Sequence, residues 1–145
     1  MKKIGLAYLV DDDNISNYLT GKILENVEFC DRLEIFSDAQ NALNALKTAI
    51  ETGKDIPEAI LFDLNMPEMD GWGFIENFTQ LPMKTKIPTF IFTSSIDPSD
   101  REKSENYEVI KDFITKPLTI VKLDKILRII DDARIEAEKT AGKGQ

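Results

Sequence analysis

Five short apolar runs divide the chain, and each is followed by a segment in which apolar residues recur at helical spacing. An uninterrupted apolar run of this length predicts a strand buried on both faces, as in the middle of a parallel sheet. The predicted strands lie at residues 4–10, 33–36, 59–62, 89–92 and within 109–115. Strand–helix repeats in this order predict an α/β fold with helices on both faces of one parallel sheet, because the crossovers are right-handed.

Polar caps and a glycine bound the predicted helices. Asp13 or Asn14 begins the first helix. Ser37 or Asp38 begins the second helix, which ends at Gly53, since these residue types favour the two ends of a helix. The apolar positions that define the first helix are Ile15, Tyr18, Leu19, Ile23 and Val27. The third helix follows Asp70 and is predicted to bury Phe74, Ile75 and Phe78.

The last two helices differ in how much apolar surface they offer. Asp97 begins a fourth helix that runs to about Tyr107, and its mostly charged residues predict the least stable helix of the fold. Thr119 caps the fifth helix. Its predicted inward residues are Ile120, Leu123, Ile126, Leu127 and Ile130. We therefore expect one domain over residues 1–137, followed by a flexible polar tail over 138–145.

Composition narrows the possible functions. The net charge of −8 over 145 residues argues against binding a nucleic acid backbone, which requires clustered Lys and Arg. It fits a cationic or metal ligand or a protein partner. The sequence has no histidine, which excludes Ser-His and Cys-His catalysis, and the single Cys30 excludes an internal disulfide. No apolar run is long enough to span a membrane, and we expect a cytoplasmic protein.

Polar residues stand where the predicted strands end. Asp11 and Asp12 follow the first strand, Asp63 follows the third, Thr93 follows the fourth and Lys116 follows the fifth. Taken singly, each has an ordinary explanation as a cap, a turn or a strand residue. In a parallel sheet, however, these strand ends share one edge, where ligands bind. Three carboxylates gathered there would repel one another, so a compensating cation is expected.

These residue types suit phosphoryl transfer. Mg²⁺, or Mn²⁺ in its place, prefers oxygen ligands and leaves positions open for water or phosphate. A carboxylate nucleophile can accept a phosphoryl group to form an aspartyl phosphate. A metal ion and the ammonium of Lys116 would neutralise the charge that spreads over the phosphoryl oxygens in the transition state.

Four segments of the chain resemble the receiver domain of two-component response regulators. They are Leu9-Val10-Asp11-Asp12-Asp13, Phe62-Asp63-Leu64-Asn65-Met66-Pro67-Glu68-Met69-Asp70-Gly71, Phe92-Thr93-Ser94 and Thr115-Lys116-Pro117. The resemblance covers nearly the whole chain in order. It implies a flavodoxin-like (βα)5 fold, doubly wound, with a five-stranded parallel sheet in the order 2-1-3-4-5 and helices on both faces.

The resemblance also implies a metal site and a phosphoacceptor. Asp63 matches the phosphoacceptor position. Asp12 would bind Mg²⁺ directly and Asp11 through water, while Asp63 and the backbone carbonyl of Asn65 complete the protein ligands. Asp13 is better explained as a helix cap than as a further ligand. Gly71 is expected to permit a backbone conformation that few residues tolerate.

Two further positions resemble the family's conformational switch. Thr93 would bind a phosphoryl oxygen and move inward, and Phe113 would rotate into the vacated space. Lys116 would pair with the phosphoryl group, and its bond to Pro117 is expected to be cis. Residues 107–112 depart from the small residues that the family usually has there, which affects the local loop and the partner surface.

The resemblance implies a stand-alone receiver that accepts a phosphoryl group from a histidine kinase or a histidine phosphotransfer protein. Apart from its own phosphorylation and dephosphorylation, no enzymatic activity is expected. A downstream protein would bind the face formed by the fourth helix, fifth strand and fifth helix, with no nucleic acid or membrane bound, and the chain would be a monomer or weak dimer.

Two alternatives remain open. A phosphohydrolase of the haloacid dehalogenase type also uses an aspartyl nucleophile, Mg²⁺ and a lysine, but its Asp-x-Asp motif requires an aspartate where this chain has Asn65. A pseudo-receiver would bind a partner without ever being phosphorylated. The full acidic set, together with Thr93 and Lys116, argues against the second alternative.

Overall fold

Ten alternating strands and helices make up the part of the chain that the computed structural model describes, residues 4–82 and 86–143. The strands are β1 (Ile4–Val10), β2 (Cys30–Phe36), β3 (Ala59–Phe62), β4 (Thr89–Thr93) and β5 (Ile110–Thr115). The helices are α1 (Asn14–Asn26), α2 (Ala39–Thr52), α3 (Gly71–Thr79), α4 (Pro98–Ser104) and α5 (Ile120–Lys143). Each helix follows the strand of the same number, as the sequence predicts.

The five strands form one parallel sheet in the order β2-β1-β3-β4-β5. All four strand pairs are parallel. Along β1, alternate side chains enter two separate cores, because successive residues of a strand face opposite sides of the sheet. Leu6, Tyr8 and Val10 pack with residues of α2 and α3, whereas Ala7 and Leu9 pack with residues of α1 and α5. The predicted flavodoxin-like fold is confirmed.

Helix α1 forms where predicted, and three of the apolar residues that define it are exposed. Asp13 is its cap, and the side chains of Ile15, Tyr18 and Leu19 are 74%, 65% and 57% exposed. The residues buried instead are Asn17, Thr20 and Leu24. Apolar spacing identified the helix, but contacts with the sheet decide its rotation, and those contacts include a buried amide. The apolar spacing therefore locates the helix but does not identify its buried side.

Helix α5 continues further than the sequence analysis expected. It runs to Lys143, through most of the segment predicted to be a tail, while residues 144–145 lie outside the described part. Leu123, Ile126 and Ile130 are buried as predicted, but Ile120 is 61% exposed. Ile120 is the first residue of the helix, at the rim of the core, which explains its exposure. Flexibility of residues 138–145 stays a prediction.

Two further bounds differ from the predicted ones. Strand β2 begins at Cys30 rather than at residue 33, because Cys30 already pairs with Ile4 of β1. Helix α4 ends at Ser104, which is its one buried residue. Of the helices in the described residues, none is long and apolar enough to cross a membrane.

The inner face of α1 can be tested with two identical substitutions. Leu24→Ala should lower the free energy of unfolding by roughly 2–5 kcal/mol, because it removes a fully buried side chain. Leu19→Ala on the same helix should change it by about 0.5 kcal/mol or less, because Leu19 is exposed. Equilibrium urea unfolding of both variants measures the difference. Equal losses would contradict the observed rotation of the helix.

Candidate functional site

Three strand ends place the central residues of the site through backbone hydrogen bonds. The amide of Asp11 donates to the carbonyl of Phe36 at 2.9 Å, and the amide of Asp63 donates to that of Val10 at 2.9 Å. The amide of Lys116 donates to the carbonyl of Thr93 at 2.8 Å. Each bond continues the sheet by one residue beyond the regular strand. The polar side chains therefore start from backbone that is as fixed as the strands themselves.

The ammonium of Lys116 lies between two carboxylates. Its Nζ is 2.5 Å from Oδ2 of Asp11 and 3.0 Å from Oδ2 of Asp63. Asp11 is 1% exposed and Asp63 is 5% exposed, so both charges are removed from bulk water. Lysine carries three donors, and two of them are accounted for here. The three predicted residues are thus in direct contact.

Burial sets the electrostatics of this cluster. It raises the pKa of Asp11, although hydrogen bonds from Lys116 and from the amide of Asp13 act in the opposite direction. Burial also acts to lower the pKa of Lys116, but its hydrogen bonds to Asp11 and Asp63 outweigh this effect, so that pKa is raised. The folded chain holds the proton of Asp11 more tightly than the unfolded chain does. Its contribution to stability therefore falls as pH rises through the raised pKa.

The loop after β1 holds Asp11 from its other side. Oδ1 of Asp11 accepts a hydrogen bond from the amide of Asp13 at 2.9 Å. The backbone carbonyl of Asp11 accepts one from Nδ2 of the buried Asn17 at 2.8 Å. Asp13 itself caps α1 by accepting from the amides of Ile15 and Ser16, at 3.0 and 3.1 Å. The prediction that Asp13 is a cap is confirmed.

Asp12 follows Asp11 directly, but its side chain is exposed, whereas those of Asp11 and Asp63 are buried. Within residues 4–82 and 86–143, no group of three or more His, Cys, Asp or Glu side chains is arranged to hold a metal ion. The structure thus brings Asp11 and Asp63 together around an ammonium, with the exposed Asp12 next to Asp11 in the chain. The roles of Asp11, Asp12, Asp63 and Asn65 as metal ligands stay predictions.

The loop after β3 is held by Asp63 and by the start of α3. Oδ1 of Asp63 accepts from the amide of Asn65 at 3.2 Å, a local turn that aspartate favours. The amide of Gly71 donates to the carbonyl of Leu64 at 2.9 Å. Asp70 caps α3 by accepting from the amide of Gly73 at 2.9 Å. The phosphoacceptor candidate is therefore bonded through both carboxylate oxygens.

Gly71 is needed for space rather than for an unusual backbone angle. A Cβ at this position would lie 2.5 Å from the carbonyl oxygen of Asp63 and 2.7 Å from Cα of Leu64. Among the described glycines, only Gly53 has a positive φ, of 68°. The expectation that Gly71 adopts a conformation few residues tolerate is wrong. The close approach of two backbone segments is the actual constraint.

The predicted switch residues lie on the side of the site that faces α4. Thr93 is fully buried, and its Oγ1 accepts from the amide of Ser95 at 3.3 Å. The hydroxyl of Ser95 donates to Oδ2 of Asp100 on α4 at 2.6 Å. Phe113 is 7% exposed, and the guanidinium of Arg101 lies 4.8 Å from the centre of its ring. The Lys116–Pro117 peptide bond is cis, as expected.

Sequence reasoning missed two polar residues next to the site. Asn17 falls outside the apolar positions that define α1, yet its side-chain amide donates to the backbone carbonyl of Asp11. Lys122 is one of many charged residues of α5, yet its ammonium donates to the carbonyls of Thr115 and Pro117. No sequence signal marks either one, because each binds a backbone carbonyl five to seven residues away, and the path of the loop between them is set by the folded structure.

Comparison with known proteins agrees with this geometry. The sequence profile of the response regulator receiver domain matches residues 7–128. The chain belongs to this family. A curated relative, the probable methanogenesis regulatory protein FilR2 of Methanothrix harundinacea, is 26% identical over 88% of the receiver chain and 81% of its own length. The uncharacterized response regulatory protein VC_A0850 of Vibrio cholerae is 31% identical over 85% of the chain, which spans 43% of that protein.

Solved structures of receiver proteins share the fold. A two component response regulator from Cytophaga hutchinsonii superimposes with a TM-score of 0.81 at 28% identity, over 90% of this chain and 99% of that one. The Mn²⁺-bound form of response regulator Rcp1 superimposes with a TM-score of 0.68 at 26% identity, over 88% and 91% of the two chains. The receiver domain is a family of signalling phosphoacceptors, which disfavours the phosphohydrolase alternative.

The role of Gly71 predicts a difference between two glycines of α3. Gly71→Ala should destabilise the receiver domain by about 1–3 kcal/mol, because the new methyl group meets fixed backbone. Gly73→Ala should be close to neutral or stabilising, because its nearest neighbour is the flexible side chain of Met69, at 2.9 Å. Thermal unfolding of both variants checks this. A loss at Gly73 as large as that at Gly71 would contradict the steric argument.

Proposed function

We propose that Asp63 is the phosphoacceptor of this receiver domain. The observation that supports it most is the contact of 3.0 Å between Oδ2 of Asp63 and the ammonium of Lys116 at the carboxyl edge of the sheet. Asp63 is buried, so its negative charge is not dispersed by water. A carboxylate oxygen next to a fixed positive charge is suited to attack phosphorus, because the same charge then faces the transferred group.

The donor in this proposal is the phosphohistidine of a histidine kinase or of a histidine phosphotransfer protein. A bond forms between one carboxylate oxygen of Asp63 and phosphorus. The bond between phosphorus and the imidazole nitrogen of the donor breaks, and its electron pair stays on that nitrogen. Lys116 keeps its proton and moves from pairing with the carboxylate to pairing with the phosphoryl oxygens. Thr93 supplies a hydroxyl donor to one of those oxygens.

The charges of the site fit a divalent cation. Two buried carboxylates, Asp11 and Asp63, face the single ammonium of Lys116, so one negative charge is left without a partner in this cluster. Burial is the main cause of the raised pKa of Asp11, and the neighbouring charge of Asp63 adds to it. Asp11, Asp12, Asp63 and the backbone carbonyl of Asn65 would hold Mg²⁺, or Mn²⁺ as Rcp1 does. When bound, the ion supplies positive charge to the phosphoryl oxygens.

The proposed output face consists of α4, β5 and α5. Thr93 is linked to α4 through Ser95 and Asp100, so an inward movement of Thr93 towards a phosphoryl group would act on α4 directly. The ring of Phe113 is already buried in this structure, in contact with Arg101 of α4. We therefore propose that phosphorylation changes the fraction of time for which the ring of Phe113 is inward, and the position of α4 around that ring.

The proposal also includes several properties of the whole domain. The domain catalyses its own phosphorylation and dephosphorylation and acts on no other substrate. The functional domain spans residues 1–137. It works in the cytoplasm as a monomer or weak dimer. Its output is a contact with another protein, with neither nucleic acid nor membrane bound, in keeping with the net charge of −8.

The phosphoacceptor is tested by intact mass after incubation with acetyl phosphate and Mg²⁺. Wild-type protein should gain the mass of one phosphoryl group, and Asp63→Asn should gain none, because an amide is not a nucleophile here. Asp70→Asn is the matched control, since it makes the same change in the same loop and asparagine still caps α3. An adduct that persists in Asp63→Asn, or none in the wild type, would reject the proposal.

The metal site is tested by thermal unfolding with and without Mg²⁺. At about ten times its Kd, Mg²⁺ should stabilise the fold by about 1.4 kcal/mol, which raises Tm by roughly 3–5 °C, and EDTA should reverse this. Asp11→Asn and Asp12→Asn should abolish the shift. Asp13→Asn should retain it, because Asp13 acts as a cap. Loss of the shift in Asp13→Asn, or its retention in Asp12→Asn, would contradict the assigned ligands.

A further inference from the structure

Lys122, in the first turns of α5, reaches back to the end of β5. Its Nζ donates to the carbonyl oxygen of Thr115 at 2.7 Å, to Oγ1 of Thr115 at 3.3 Å and to the carbonyl oxygen of Pro117 at 3.1 Å. An ammonium has three N–H donors, and these three acceptors match that number. All three are uncharged oxygens, and they stand on the two residues that flank Lys116.

This arrangement fixes the backbone of Lys116 from two sides. On the sheet side, its amide donates to the carbonyl of Thr93 on β4. Among the described strands, β5 is at the edge of the sheet, so none of them pairs with its outer side. On that side, the carbonyls before and after Lys116 are bound by Lys122. Hydrogen bonds with a charged donor are stronger than neutral ones. The bonds from Lys122 therefore hold the backbone around Lys116 more firmly than neutral hydrogen bonds would.

The start of α5 does not depend on this ammonium. Oγ1 of Thr119 accepts from the amide of Lys122 at 3.2 Å, and the carbonyl of Thr119 accepts from the amide of Leu123 at 2.9 Å. Thr119 thus caps the helix through its own side chain. The ammonium of Lys122 is directed instead at the segment that carries Lys116. The side chain of Lys116 is long and flexible, so the position of its charge depends on how firmly its backbone is held.

We propose that Lys122 is a positioning residue for Lys116. By holding the carbonyls of Thr115 and Pro117, it sets the point from which Lys116 extends towards Asp63. Lys122 touches neither carboxylate of the site in this role and acts only through Lys116. The inference rests on the proposed function for its effect on phosphoryl transfer, and on the hydrogen-bond geometry for its effect on the backbone.

The first measurement is the rate of phosphorylation against acetyl phosphate concentration. Lys122→Met should lower the maximal rate about tenfold with little change in half-saturation, because small displacements of a charge-stabilising group are costly. Lys122→Arg should restore most of the rate. Lys125→Met is the control, since it removes an equal charge from α5 and an ion pair with Asp112 of β5. It should behave as wild type.

The second measurement is amide hydrogen exchange, which needs no phosphoryl transfer. In Lys122→Met the amide of Lys116 should exchange at least severalfold faster, while the amide of Asp63, bonded to Val10 on the far side of the site, should not change. If the wild type is not phosphorylated but this selective loosening occurs, the proposed function fails and the positioning role stands. Unchanged exchange at Lys116, or equal loosening at Asp63, would overturn the positioning role.

Discussion

The contact between one buried ammonium and two buried carboxylates is the interaction on which the site depends. Lys116 is 105 residues from Asp11 and 53 residues from Asp63 along the chain, so the cluster forms only when the sheet is complete. Burying either carboxylate without a cation would be strongly unfavourable. Breaking the lysine contact would therefore leave two like charges facing each other at the ends of β1 and β3.

In this cluster the requirements of function conflict with those of stability, whereas the core around it is apolar. The residues of β1 and β3 before the carboxylates are almost fully buried and apolar, whereas the carboxylates keep an excess of negative charge at the sheet edge. Such local conflicts with stability are expected where function requires them. They also make the site responsive, because a ligand that neutralises the excess charge stabilises the folded state at the same time.

The strands and helices could be predicted from the sequence because each depends on a local pattern. The strand order was implied by the resemblance to receiver domains, and the meeting of Asp11, Asp63 and Lys116 was expected because the ends of parallel strands share one edge of the sheet. The run Ala59–Phe62 reads as a buried strand, and Asp63 follows it directly. The rotation of α1 could not be predicted from apolar spacing, because the buried side includes the polar residues Asn17 and Thr20, and Asn17 binds the backbone of Asp11. The reason for a glycine at position 71 could not be predicted either, because the backbone of Asp63 and Leu64 that it approaches is placed by tertiary structure.

The outward face of α1 bears on how this chain can change over evolution. Ile15, Tyr18 and Leu19 are exposed, so replacing them removes little buried surface and leaves the folded state near its present stability. Residues free of that constraint can drift or be selected for other reasons. In this domain, one side of a helix beside the site can therefore change at little cost to folding, while the opposite side, with Asn17 and Leu24, is held by contacts within the fold.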